Sequence, residues 1–290
     1  MKLCLIGLGG LGTAIINSLT EKSGVSLSHI FLIDIDTVEL CNTANQLYTE
    51  SDIGKYKVCA TKERLLNKKY KGIIHTYIID INNPISIPQD VLHCDLYISA
   101  LDTYESRVNF YYYVVQESFN PKKMYIDTGT ERFKGHCFFS KGVIDKPCIY
   151  CIKWLFPNPN TPVPLCSIRN NTPQEITEET KPLVIMNILR GVLSDNSVWC
   201  TDEYTETAKI YNNTYNTVGN EIIDSEYVKS IEKYLEIEPN TPITSFIMAN
   251  IVVRIIHKVP DGNFLIYSGD GIPSFYLHTL QADPLCLLCS

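Results

Sequence analysis

Residues 2–12 read KLCLIGLGGLG, and residues 29–36 read HIFLIDID. The first stretch begins as the apolar run Lys2–Ile6, the length of a short buried strand. It passes at once into Gly7-Leu8-Gly9-Gly10-Leu11-Gly12. The run that follows, TAIINSLTEK, has helical spacing and sets Ile15, Ile16 and Leu19 on one side. The second stretch is a further strand, ending in Asp34 and Asp36. Strand, glycine turn, helix and acid-tipped strand predict the start of a doubly wound, Rossmann-like α/β fold. Glycines there let the backbone approach a phosphate chain, and the helix N-terminus offers it unpaired N–H groups. Gly7, Gly9, Gly10 and Gly12 are the expected phosphate cradle, and Asp34 is the expected partner of a ribose hydroxyl.

A dehydrogenase opens in the same way to hold NAD, so the nucleotide has to be read from what comes next. The segment DIGKYK, residues 52–57, brings basic residues to the start of a helix, and Lys57 is suited to neutralising a triphosphate. Its plain alternative is a solvated surface lysine. The run DLYISALD ends in Asp102, where a strand of such a sheet delivers ligand-binding groups. An acid at that edge, near phosphates, suits magnesium. Arg107 is expected to face the same crevice from the next helix. Spacing alone leaves open a helix-capping Asp102 and a surface Arg107.

Two C-x-x-C pairs, Cys148/Cys151 and Cys286/Cys289, stand far apart among the chain's 11 cysteines. Each pair can hold one edge of a zinc tetrahedron, and four thiolates make a closed, structural site. Such a site would clip the C-terminal residues onto the middle of the fold. The alternative is that some of the four are ordinary buried thiols. Cys166 lies between them in PVPLCSIRNNTP, among polar neighbours; Arg169 would favour a thiolate if the fold brings it close, and the plain alternative is a thiol that plugs the core. A chain of 290 residues with 45% hydrophobic content can bury one large core or two moderate ones. A net charge of -7 and the lack of a long basic run argue against a nucleic-acid surface. No apolar stretch reaches membrane-spanning length, and the chain opens into a strand with no signal peptide. The cysteine usage then suggests a reducing compartment, cytoplasmic or nuclear.

The strings IGLGGLGTAIINSLT, FLIDIDTVELCN, DIGKYK, ISALDTYESR, IDTGTERFKGH, CIYC, PVPLCSI and CLLC occur in one order. Together they resemble the catalytic subunit of the heterodimeric enzymes that activate ubiquitin-like modifiers, which use the ThiF/MoeB-like adenylation fold. The resemblance runs from Leu3 to about Arg169 and resumes from Pro242 to Cys289. GTERFKGH and the short step from CIYC to PLC resemble the neddylation branch, while CSIRN leans towards the SUMO branch.

The resemblance implies ATP and Mg2+ at the glycine loop, with adenylation of a modifier's C-terminal glycine. It implies a thioester on Cys166 and transfer to a conjugating enzyme. It places nucleotide contacts at Asn42, Lys57 and position 45, the magnesium-linked acid at Asp102, and structural Zn2+ on Cys148, Cys151, Cys286 and Cys289. A non-catalytic partner subunit would complete the heterodimer. The implied organisation is an adenylation domain over residues 1–165, a reduced helical catalytic-cysteine insertion over 166–240, and a return to the adenylation domain over 241–290.

Three features depart from the pattern. Asn45 stands where an arginine is expected, one residue is missing before DIG, and the sequence stops one residue after Cys289. An amide brings no positive charge to a phosphate, so Lys55 would have to substitute for it or adenylation would be weakened. Many relatives continue into a ubiquitin-like domain that recruits the conjugating enzyme, so recruitment here is expected to be done otherwise, or the chain is a fragment or a compact member. Two other classes stay open. One is an adenylating enzyme for sulfur-carrier proteins, with the same loop and zinc pairs. The other is a non-catalytic scaffold, suggested by Asn45. The stretch PITSFIMANIVVRIIHKV is apolar almost all round, which predicts a buried or subunit-contact helix. NFLIYSG and SFYLHTL then read as strands leading to the last cysteine pair.

Overall fold

A computed structural model describes residues 1–21, 23–40, 42–83, 87–131, 133–141, 147–156, 185, 201–215, 222–232, 242–269 and 271–286. Eight strands form one sheet: β1 (Lys2–Ile6), β2 (His29–Ile33), β3 (Ile73–Tyr77), β4 (Leu96–Ser99), β5 (Met124–Glu131), β6 (Lys134–Lys141), β7 (Phe264–Ser268) and β8 (Ser274–His278). Their order is β3-β2-β1-β4-β5-β6-β7-β8. The pairs from β3 to β5 are all parallel, and those from β5 to β8 are antiparallel. The sheet is therefore mixed, with a doubly wound half joined to a meander.

Strand β1 shows why the opening residues form a central strand. Leu3 and Leu5 enter one core, with Ile30 and Leu32 of β2 and Ile98 of β4. Cys4 and Ile6 enter the core on the opposite face, with Phe31, Ile33 and Tyr97. A parallel strand covered on both faces reads as a continuous apolar run, because neither parity of the pleat meets water. Helix α1 (Gly10–Glu21) covers one face through Leu11, Ala14, Ile15, Ile16 and Leu19. Further along come a short α2 (Asn42–Asn45), then α3 (Lys57–Asn67) and α4 (Tyr104–Phe110), which continues as a π-helical turn over Tyr111–Gln116.

The chain divides into two compact units, residues 1–161 with 239–290, and residues 162–238. In the second, helices α5 (Thr201–Tyr215) and α6 (Ser225–Glu232) pack together. Asn212 pins the approach to α6 by two bonds with the Ile223 backbone, at 2.7 and 3.0 Å. In the first, α7 (Pro242–His257) packs along α1 and buries Thr244, Ser245, Met248, Ala249, Val252 and Ile255. Its apolar circumference predicts a buried or subunit-contact helix, and within this chain Ile243 is 68% exposed and Phe246 is 38% exposed. No described helix is long and apolar enough to cross a membrane.

Candidate active site

Strand order reverses between β1 and β4, so the first and fourth strands end side by side with their following loops turning opposite ways. Sheets of this kind bind ligands at such a switch point. Gly7 leaves β1 with φ of 84°, a left-handed conformation that only glycine adopts without strain. A methyl on Gly7 would lie 2.6 Å from the Ala100 carbonyl oxygen at the end of β4. A methyl on Gly12 would lie 1.9 Å from the Gly7 carbonyl oxygen. Gly9 differs from both, since a methyl there would meet no protein atom within 4 Å. Its carbonyl accepts the first intrahelical bond of α1, from Thr13 N–H at 3.0 Å. The Gly10, Leu11 and Gly12 amides precede that bond and carry the positive end of the helix. Open space over Gly9, beside these amides, fits a phosphate chain.

Asp34 closes the loop from the side. Its Oδ2 accepts from Leu8 N–H at 2.6 Å and its Oδ1 from Asp36 N–H at 2.8 Å. Burial pushes this carboxyl up, against the Lys57 charge and the two N–H bonds. The Lys57 ammonium lies 2.7 Å from Asp36 Oδ2 and is largely shielded, while Asp36 is open to solvent. The Lys57 backbone N–H also donates to the Asp36 carbonyl at 2.9 Å, so α3 begins where β2 ends. Tyr48 adds a second tie, donating to the Leu8 carbonyl at 2.8 Å, with its hydroxyl 3.2 Å from that of Thr61.

Asn42 begins α2, and its Oδ1 accepts from Glu39 N–H at 2.9 Å. Asn45 ends that helix, and its side chain lies outside the described residues. Lys55, the expected substitute cation, is committed to Glu63 at 2.7 Å and Asp52 at 3.3 Å. A further cation, Arg64, is bonded to the Leu47 carbonyl at 2.5 Å and set over the Tyr48 ring. Its Nε and Nη2 are buried without a partner, and burial lowers the guanidinium pKa. Sequence reading passed over Arg64 and Tyr48, because neither falls in a motif.

At the β4 edge, Asp102 is exposed and has no partner among the described residues. A hard cation takes a carboxylate together with phosphate oxygens, and an unengaged acid beside the loop fits that donor set. Arg107, expected to face the crevice, instead turns inward and pairs with Asp127 at 2.7 Å. The difference is physical: the fully buried Asp127 needs a counter-charge, and Arg107 is the cation against it. His136 Nε2 lies 3.5 Å from the same carboxylate. Burial draws the Asp127 carboxyl up, but Arg107 and His136 outweigh it and hold it below the usual range.

Cys148, Cys151 and Cys286 come together, all buried, with their sulfur atoms within 4.8 Å of one another. The Cys148–Cys151 and Cys148–Cys286 separations are 3.8 and 3.5 Å. Sulfurs on a tetrahedral zinc with bonds of about 2.3 Å lie about 3.8 Å apart, so the set fits that ion. Cys289, Cys166 and Arg169 lie outside the described residues.

Residues 1–286 match the ThiF family. The NEDD8-activating enzyme E1 catalytic subunit of Saccharomyces cerevisiae is 32% identical over 178 residues, 59% of this chain and 57% of that protein. The protein of the same name from Schizosaccharomyces pombe is 24% identical over 271 residues, 91% of this chain and 59% of that one. The adenylyltransferase and sulfurtransferase MOCS3 of Culex quinquefasciatus is 29% identical over 161 residues, 54% of this chain and 34% of that protein. The chain thus spans at most about three-fifths of these relatives. Among solved structures, E. coli MccB with ATP superposes with a TM-score of 0.54 at 15% identity, over 100% of this chain and 66% of MccB.

Proposed function

As the chain belongs to the ThiF family, we propose that it adenylates the C-terminal carboxylate of a ubiquitin-like modifier and then carries it as a thioester on Cys166. The observation that carries the reading is the constellation at the switch point. The open face of Gly9, Asp34 bonded to the glycine turn, the Lys57–Asp36 pair and the unengaged Asp102, next to the Ala100–Leu101 backbone that Gly7 abuts, all follow the carboxyl ends of β1, β2 and β4. The similarity to NEDD8-activating catalytic subunits supports a ubiquitin-like protein as substrate, with the neddylation modifier preferred and the SUMO modifier next.

In this reading the α1 amides and Lys57 hold the ATP phosphates, and Asp34 accepts from the ribose. Asn42 lies beside the nucleotide. Magnesium, when bound through Asp102, supplies charge neutralisation for the departing pyrophosphate. A modifier carboxylate oxygen attacks the α-phosphorus, forming the acyl–phosphate bond as the bond to pyrophosphate breaks. The residues contribute by holding the two reactants in line. The Cys166 thiolate then attacks the acyl carbon and AMP leaves. Cys148, Cys151, Cys286 and Cys289 would hold zinc and join the two cysteine-bearing segments. A non-catalytic subunit completes the enzyme, and a conjugating-enzyme cysteine accepts the product.

The second reading is adenylation of a sulfur-carrier protein, favoured by the similarity to the Culex protein. Modifier-dependent ATP–pyrophosphate exchange tests the choice. The proposal expects exchange with a ubiquitin-like modifier ending in glycine, and none when that glycine is removed. Exchange with a sulfur carrier alone would overturn it.

A further inference from the structure

The Arg107 guanidinium links the turn after β4 to the middle of β5. Its Nη1 donates to Asp127 Oδ2 at 2.7 Å and to the Thr128 carbonyl at 3.1 Å, while Nη2 donates to the Leu101 carbonyl. Leu101 belongs to the turn that leaves β4, and Asp127 and Thr128 lie on β5. Phe156 covers the guanidinium with its ring centroid 5.5 Å from Cζ, and it stacks on Tyr104 at 5.2 Å. Gly129 keeps the crossing open, since a methyl there would lie 2.9 Å from Nη2.

Neutralising Asp127 needs one cation, and a lysine would supply it. An ammonium has three donors on a single nitrogen, whereas here the β5 acceptors and the Leu101 carbonyl are reached from the two separate nitrogens of a rigid fork, which lysine lacks. The acceptor that charge balance does not explain is the Leu101 carbonyl, next to Asp102. The Asp102 side chain has no described partner, so its direction follows from the backbone on either side. On the far side, Thr103 Oγ1 accepts from Ser106 N–H at 3.2 Å and caps α4. On the near side, Arg107 alone reaches the Leu101 carbonyl among the described contacts.

We propose that Arg107 is a positioning residue whose fork pins the Leu101 carbonyl to the middle of β5 and so aims the Asp102 carboxylate towards the glycine turn. The role rests on the reading of Asp102 as the metal-linked acid given under Proposed function.

The full chain is tested by hydrogen exchange at the amides of residues 101–104 and by Mn2+ titration with ATP present, followed by electron paramagnetic resonance. Arg107→Lys keeps a charge for Asp127 and removes the fork. Exchange in the turn is expected to rise at least tenfold and Mn2+ affinity to fall at least tenfold. Exchange along α1, and ATP affinity without metal, should stay within twofold. Phe156→Leu leaves the ion pair in place and should move both readouts the same way by less, and it carries the test if Arg107→Lys does not fold. Wild-type turn exchange and Mn2+ affinity in the folded variant would overturn the proposal, as would exchange that rises equally along α1 and β1. Asp102→Asn separates the two claims. Unchanged Mn2+ affinity there removes the metal reading of Asp102 and the positioning role with it. Lost affinity there, with Arg107→Lys unaffected, overturns the Arg107 role alone.

Discussion

Gly9 and Gly12 lie three residues apart in one turn, and the structure assigns them opposite responses to a single methyl. In Gly12→Ala the new Cβ would stand 1.9 Å from the Gly7 carbonyl oxygen. An ordinary C···O approach is about 3.3 Å, so the two backbones must part by about 1.4 Å. Gly7 cannot readily yield, because its φ of 84° and its own closeness to Ala100 fix the turn. Overpacking of this kind costs about 1–3 kcal/mol. In Gly9→Ala the methyl meets no protein atom. Loss of unfolded-state freedom favours alanine by about 0.4–1 kcal/mol, and its poorer N-capping offsets a comparable amount. Gly9→Ala is therefore expected to leave the unfolding free energy within about 1 kcal/mol of wild type. Its methyl fills the space assigned to phosphate, so ATP affinity should fall at least tenfold, about 1.4 kcal/mol. Denaturant unfolding and equilibrium ATP binding on the same preparations check both numbers. Gly9→Ala protein that is stable and binds ATP within twofold of wild type would refute the placement of the phosphates. Gly12→Ala protein of wild-type stability would refute the packing argument.

Asp34→Ala strips the acceptor from two N–H groups, Leu8 and Asp36, and should cost about 1–3 kcal/mol of stability along with tenfold or more in ATP affinity. Calorimetric binding that stays at wild type would remove Asp34 from the nucleotide site. Asp127→Asn leaves Arg107 buried without its counter-charge and should cost about 3–5 kcal/mol at neutral pH. The same variant tests the pH dependence. Because the folded Asp127 carboxyl is held low, its stabilisation is full above the unfolded carboxylate pKa of about 3.9 and is lost as pH falls through the lower folded value. Wild-type unfolding free energy should decline in that acid window, and the variant should lack that part of the decline. For the cysteine cluster, protein purified without chelator should carry about one zinc per chain by elemental analysis, and Cys148→Ala should lose the zinc and melt at lower temperature. Wild-type protein with far less zinc would exclude the clip.

The first 36 residues disclose the doubly wound half because burial on both faces leaves a continuous apolar run in β1 and β2, and because Gly7 and Gly12 answer backbone contacts. The later strands Phe264–Ser268 and Ser274–His278 were legible for a similar reason, as short β-rich runs bounded by turn residues. The long β5–β6 hairpin was not read from its residues, since IDTGTERFKGH looks like a loop until Thr128 is seen facing Cys137. Side-chain pairing was the least legible level. Arg107 reads from sequence as a cation for the crevice, and only the position of Asp127, twenty residues on, turns it inward. Tyr48 and Arg64 carry no local signal, because their partners Leu8 and Leu47 are chosen by the folded chain. Lys55 offered a charge at the right place in the sequence, yet Glu63 and Asp52 engage it.

Intact-mass analysis of the chain, mixed with its candidate partner subunit, ATP and a ubiquitin-like modifier, tests the central claim most directly. The account predicts a reductant-sensitive adduct of one modifier on the wild-type chain, absent from Cys166→Ala, while that variant still exchanges pyrophosphate into ATP. A variant that still forms the adduct, or a wild-type chain that exchanges pyrophosphate and never forms one, would contradict it.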